Sequence, residues 1–205
     1  MFDLLFAQYK NYPSYEITLE LTAIFFGLLS VWFAKKNNIL VFPTGIINTA
    51  IYVYLLWKWS LLGDMMINFY YVIMSIYGWY HWTRKKEAVV QFPISVMTLS
   101  EKKTAPVIFI ATIVFVVAVY TFFDKFTHWT SYLDILVTGI FFVGMWLMAK
   151  RKIENWILWI IGDLISIPMY FAKGYTFTSI QYLIFTIIAV YGYLEWKRIL
   201  QEKII

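Results

Sequence analysis

Two indoles and a carboxylate stand in the stretch E-N-W-I-L-W-I-I-G-D-L-I-S, residues 154–166, inside an otherwise apolar run. On an α-helix Trp156, Trp159 and Asp163 fall on one face within an arc of about 60°. Indole offers the best aromatic face for a cation, and a nearby carboxylate supplies the counter-charge. The spacing therefore suits binding of a flat, positively charged aromatic ring. Each group also has a plainer reading: tryptophan anchors membrane proteins at the interface, and a buried acid can bond a neighbouring helix.

Other polar residues share the apolar runs. An ionisable group at a bilayer centre costs about 2.5–3.5 kcal/mol on insertion scales, so each is a candidate for function. Asp163 falls mid-way along its run, and Asn48 is central in an earlier one. Glu20, Asp134 and Gln181 lie about one turn in from one face, with Asn68 slightly deeper. Together they could line a cavity that opens from that face and closes near the middle, with Glu20 and Asp134 at its mouth. Interfacial solvation of the two acids, and interhelical hydrogen bonding by Asn48, Asn68 and Gln181, are the competing readings. Pro168 cannot donate to the carbonyl of Leu164, so a kink is expected beside Asp163, and Pro43 is expected to act similarly near the start of its run.

Other chemistries fail on residue type or spacing. The chain has no cysteine, which excludes disulfides, thiolate metal sites and cysteine nucleophiles. His81 and His128 have no partner at a ligand spacing, so no metal site is expected. An aspartyl dyad built from Gly63-Asp64 and Gly162-Asp163 would place its acids about 10 Å or more apart in depth, too far to share a proton. A retinal-type pump needs a buried lysine in the last run, which has none. No enzyme and no cofactor is expected.

The elements that must hold these residues are membrane spans. Of 205 residues, 61% are hydrophobic and 14% charged, against about 45–50% and 25% in soluble domains. Seven apolar runs, about 17–34, 39–57, 61–82, 104–124, 129–149, 153–172 and 176–196, are each long enough to cross roughly 30 Å of hydrocarbon. They predict an all-α integral membrane protein forming a single transmembrane domain over 1–205. No cleavable signal is expected, because Asp3, Lys10 and Glu16 precede the first run. Of the 17 Lys and Arg, 13 fall in loops on one side: Lys35, Lys36, Arg84, Lys85, Lys86, Lys102, Lys103, Lys150, Arg151, Lys152, Lys197, Arg198 and Lys203. That side is expected to be cytoplasmic, with the N-terminus outside and the C-terminus inside. The formal charge of +5 is then a topology signal, and nucleic acid is not an expected partner.

An offset of 114 residues brings Glu20 onto Asp134, Trp32 onto Trp146, Lys36 onto Lys150, Tyr77-Gly78 onto Tyr191-Gly192, Trp82 onto Trp196 and Arg84 onto Arg198. Repeat 1 spans about 17–86 and repeat 2 about 129–200, joined by a linker helix at about 104–124. Three spans are an odd number, so the linker span restores a common orientation. The result is a 3+1+3 parallel repeat, a SWEET-like transporter architecture with its substrate site between the repeats.

W-I-L-W-I-I-G-D resembles the WxxWxxxN/D signature of the PnuC family of nicotinamide riboside transporters. V-F-P-T-G-I-I-N-T-A, residues 41–50, is similar to that family's second helix. The resemblance implies uptake of nicotinamide riboside across a bacterial inner membrane by facilitated diffusion and alternating access, feeding NAD biosynthesis, with the ligand trapped by a cytoplasmic riboside kinase. It implies that Trp156 and Trp159 hold the pyridinium ring and that Asp163 bonds the ligand. Relatives sharing the fold carry thiamine, deoxynucleosides or riboflavin-like compounds, and those substrates stay open, as do a passive channel and a homo-oligomer in the bilayer.

Overall fold

The computed structural model describes residues 13–58, 62–86, 89–90, 92–173 and 176–202. Among these residues are seven helices: Ser14–Lys35 (α1), Val41–Lys58 (α2), Leu62–Thr83 (α3), Leu99–Phe122 (α4), Thr130–Ala149 (α5), Glu154–Ala172 (α6) and Thr176–Glu202 (α7). By length and composition α1, α4, α5 and α6 can each cross a membrane. Each expected span corresponds to one helix. Asp3, Lys10 and Lys203 lie outside the described residues, and nothing is described of the side chains of Asp64, Lys85 and Lys86.

Three departures from the expected all-α pattern have local causes. Helix α4 begins at Leu99, about one turn ahead of the apolar run, because T-L-S-E, residues 98–101, forms a capping box. The Thr98 hydroxyl accepts from the Glu101 N–H and the Glu101 carboxylate accepts from the Thr98 N–H, satisfying two donors that a helix start leaves free. Helix α7 runs on to Glu202, where Arg198 bonds Glu195 at 2.7 Å and approaches Glu202 at 3.9 Å, pairs of the kind that support an exposed helix end. Between α3 and α4 lies a two-stranded antiparallel hairpin, Lys85–Lys86 (β1) with Val89–Val90 (β2).

Six helices close a ring in the order α1, α2, α3, α5, α6, α7 and back to α1; α4 packs outside it, mainly on α5. Helix boundaries recur at the sequence offset: α1 and α5 end at Lys35 and Ala149, α2 and α6 at Lys58 and Ala172, while α3 and α7 start at Leu62 and Thr176. Left-handed residues follow α1 and α5 at equivalent places, Asn37 (φ 50°) and Arg151 (φ 55°). There the N–H of Asn38 reaches the carbonyl of Phe33 and that of Lys152 the carbonyl of Leu147, both at 2.9 Å. These bonds satisfy carbonyls that the helix ends would otherwise leave open.

The end of the ring that carries Lys35, Lys36 and Lys150–Lys152 is sealed by a collar of aromatic side chains. Trp82 donates its indole N–H to the carbonyl of Ala149 at 3.1 Å, and Trp196 donates to that of Ala34 at 3.1 Å. Phe42 meets Trp82 edge-on at 4.9 Å, and Trp156 meets Trp196 edge-on at 5.5 Å. Gly78 and Gly192 admit these rings: a Cβ at Gly192 would come within 2.7 Å of Trp156, and one at Gly78 would strike Phe42. In lipid such close packing and interhelical bonds replace water exclusion as the force joining helices.

A strap covers the collar. Ser95 bridges Lys152 in parallel, the Ser95 N–H donating to Arg151 O at 3.1 Å and the Ile153 N–H to Ser95 O at 3.0 Å. Glu154 accepts from the Met97 N–H at 2.8 Å, and Lys150 and Lys152 clamp Glu101 at 2.9 and 3.0 Å. At the opposite end Lys58 bonds Glu16 at 2.8 Å and Lys173 bonds Asp134. Each pair ties the start of one helix to the end of the next.

Candidate functional site

Helix α6 turns its inward face to the middle of the ring. Asp163 is 2% exposed there. Trp159, one turn earlier, stacks on Phe141 of α5 with ring centres 5.1 Å apart and planes 30° from parallel. The indole has room because it lies over Gly144, where a Cβ would sit 3.5 Å from its ring. Phe141 faces Tyr182 of α7 with planes 4° apart at 6.1 Å, and Tyr182 stacks on Tyr170 at 5.2 Å. A Cβ at Gly162 would land on the Phe141 ring edge, so the glycine lets that ring lie close to α6.

Helix α3 closes the other side. Tyr71 lies within electrostatic reach of Asp163, Tyr182 and Tyr70. Phe142 stacks on Tyr70 at 3.9 Å with planes 5° apart and touches Tyr71 at 5.9 Å. Rings from α3, α5, α6 and α7 together with the buried Asp163 make up one aromatic cluster, the slot. Ring faces and an acid in a setting poor in water are the groups that recognise an aromatic cation.

Trp156 is 1% exposed and packs on Gly192 and Trp196, and Trp159 packs against the same buried cluster while stacking on Phe141. Asn48 donates its amide to the carbonyl of Ala23 at 2.7 Å and so ties α2 to α1. Asn68 and Gln181 are half-buried on α3 and α7. Asp134 is held by Lys173, and Glu16, one turn before Glu20, pairs with Lys58. The ion pairs Glu16–Lys58 and Asp134–Lys173 both stand at this end of the ring. Pro43 lies in the first turn of α2, where no ladder bond is lost. Pro168 is exposed, and α6 continues past it with Ser179 of α7 donating to Ile167 O at 2.8 Å. It sits beside the site, not in it.

Phe141, Tyr71, Tyr170 and Tyr182 do not stand out by spacing. One signal was available: at the offset of 114, Gly27 aligns with Phe141, Gly45 with Trp159, Asn48 with Gly162 and Thr49 with Asp163. The slot gathers where the two halves differ.

Residues 17–198 match the model of the nicotinamide mononucleotide transporter family. The chain belongs to that family. It is 24% identical to the nicotinamide riboside transporter PnuC of Escherichia coli K12, across 90% of this chain and 87% of that protein. It is 26% identical to PnuC of Neisseria mucosa, across 86% and 70%, and 27% identical to the riboflavin/roseoflavin transporter RibM of Streptomyces davaonensis, across 81% and 84%. The crystal structure of the vitamin B3 transporter PnuC superposes with a TM-score of 0.67 at 24% identity, covering 90% of this chain and 82% of that one. As a member of the nicotinamide mononucleotide transporter family, the protein is a multi-pass membrane transporter and not an enzyme.

Proposed function

We propose that the protein carries nicotinamide riboside into the cell by facilitated diffusion through alternating access, across a bacterial inner membrane, for capture by a cytoplasmic kinase. The observation that carries this reading is the buried Asp163 beside the Trp159–Phe141 stack. Nicotinamide riboside is a pyridinium cation, and that pairing of ring faces with a carboxylate complements it. In this reading the ring lies at Trp159, Asp163 bonds the ligand, and Asn68 and Gln181 flank the route. Asn48 fixes the wall, and Trp156 belongs to the collar the ligand passes on leaving.

The two halves, α1–α3 and α5–α7, are read as parallel repeats joined by α4, with the collar end in the cytoplasm. The recurring helix boundaries and the basic residues at the collar end support that reading. Rocking of one half against the other would open the collar and close the opposite mouth.

A second reading, transport of riboflavin, is favoured by the similarity to RibM. The test is calorimetric titration of the purified protein with nicotinamide riboside, thiamine and riboflavin, beside Trp159→Ala. Micromolar binding of nicotinamide riboside that the variant loses is the expected result. Binding of riboflavin or thiamine alone would keep the transporter and overturn the substrate.

A further inference from the structure

Ser166 is fully buried, and its hydroxyl has no hydrogen-bond partner among the described residues. Hydroxyls inside helices usually bond back to the carbonyl four residues earlier. Thr44, Thr49, Thr112, Thr138 and Thr186 all do so, at 2.6 to 2.9 Å. The serines Ser30 and Ser179 instead bond carbonyls of a neighbouring helix, at 2.7 and 2.8 Å. Ser166 does neither, and an unmet hydroxyl in a dry interior is a cost that native structures rarely carry without a reason.

Its position supplies the reason. By helical advance Ser166 shares an arc of about 60° with Trp159, Asp163 and Tyr170, the face that lines the slot. Along the axis it lies about 4.5 Å beyond Asp163 and about 10 Å beyond Trp159, on the side away from the collar. A ring stacked at Trp159 places anything attached to it along this same stripe. Asp163, Ser166 and the Tyr170 hydroxyl are the polar groups there.

We propose that Asp163 and Ser166 form a subsite for the sugar of the ligand, with the Ser166 hydroxyl bonding a ribose hydroxyl. The assignment rests on the transport reading above and adds to it a means of selecting a glycoside over a bare aromatic cation. A cation without hydroxyls would satisfy Trp159 and the Asp163 charge but leave Ser166 unpaired, so it would bind with less discrimination between Ser166 and a substitute.

The test compares two ligands on two proteins. Nicotinamide riboside and N-methylnicotinamide carry the same pyridinium charge, and only the first has a sugar. Their binding to the unaltered chain and to Ser166→Ala is measured by titration, with competition for the weaker ligand, and the melting temperature of each protein is recorded. The expected result is a roughly tenfold loss of affinity for nicotinamide riboside, unchanged affinity for N-methylnicotinamide and no fall in melting temperature. Equal affinity of the variant for nicotinamide riboside, an equal loss for both ligands, or a lower melting temperature would each overturn the assignment. Failure of the unaltered chain to bind nicotinamide riboside would overturn the transport reading, and the sugar subsite with it.

Discussion

At the level of single residues, Trp159 and Asp163 do different work on the same ligand. The indole supplies area and a ring face that any flat aromatic can use; the carboxylate adds a charge that only a cation can use. Asp163→Asn keeps the shape and an acceptor but removes the charge. It should weaken a pyridinium ligand about 10- to 100-fold, since bonds to charged groups are worth about 1.5–3 kcal/mol, and leave a neutral flavin within about twofold. Titration of both ligands against the variant decides this, and an equal loss for both would show that the charge is not what the site uses. The two tryptophans should separate just as cleanly. Phe42 stands where the first half aligns with Trp156 and packs on Gly78 as Trp156 packs on Gly192, so Trp156→Phe should leave affinity within about threefold, a loss comparable to that of Trp159→Ala being the outcome that returns Trp156 to the binding site. The spacing of Trp156, Trp159 and Asp163 made the helix face legible in the sequence. What spacing along one helix does not contain is which partner each side chain meets, so Phe141 and Tyr71, which arrive from other helices, were invisible.

The elements are held by their ends. Glu101 is 8% exposed, and burial pushes its carboxyl up, but the Thr98 backbone N–H, Lys150, Lys152 and the Thr98 hydroxyl outweigh that and hold it down at about 2. A carboxyl depressed from about 4.5 to about 2 on folding adds stability that is complete above about pH 4.5 and is lost as pH falls toward 2. Glu101→Gln should therefore lower the melting temperature of the detergent-solubilised protein near neutral pH, by an effect on the order of 2–3 kcal/mol, and the gap to the unaltered chain should narrow steadily between pH 4.5 and 2. A gap independent of pH over that range would mean the clamp on Glu101 adds nothing. Arg151, stacked 4.1 Å above Trp82, is lowered by burial to about 10 and so keeps its charge through this range. The capping box at Thr98–Glu101 could be read from T-L-S-E, because a cap is local. The bridge from Ser95 to Lys152 joins segments 57 residues apart in sequence, a separation that no local pattern encodes.

For the whole molecule, the closed ring is the element on which the proposed alternating access would act. Six helices in a closed circuit leave an interior that two halves can share, and the collar bonds cross from one half to the other in reciprocal fashion: Trp82 to Ala149, Trp196 to Ala34. Opening this end must break both. The number of helices was legible because length and hydropathy mark spans, but ring order was not, since it depends on which faces meet. If the halves rock, removing a collar bond favours the opened state by about 1 kcal/mol, or about fivefold in population. The chain has no cysteine, so a single Ala189→Cys, 1% exposed among the collar residues, reports opening without background. Labelling by an impermeant thiol reagent from the collar side of inverted vesicles should speed up about fivefold in Trp82→Phe and again in Trp196→Phe. Phenylalanine preserves an aromatic edge against Phe42 or Trp156 while deleting the donor, so faster labelling would trace to the lost bond and not to a collapsed collar. Labelling that stays slow in both variants would mean that the collar is a fixed seal and that the ligand leaves by another route.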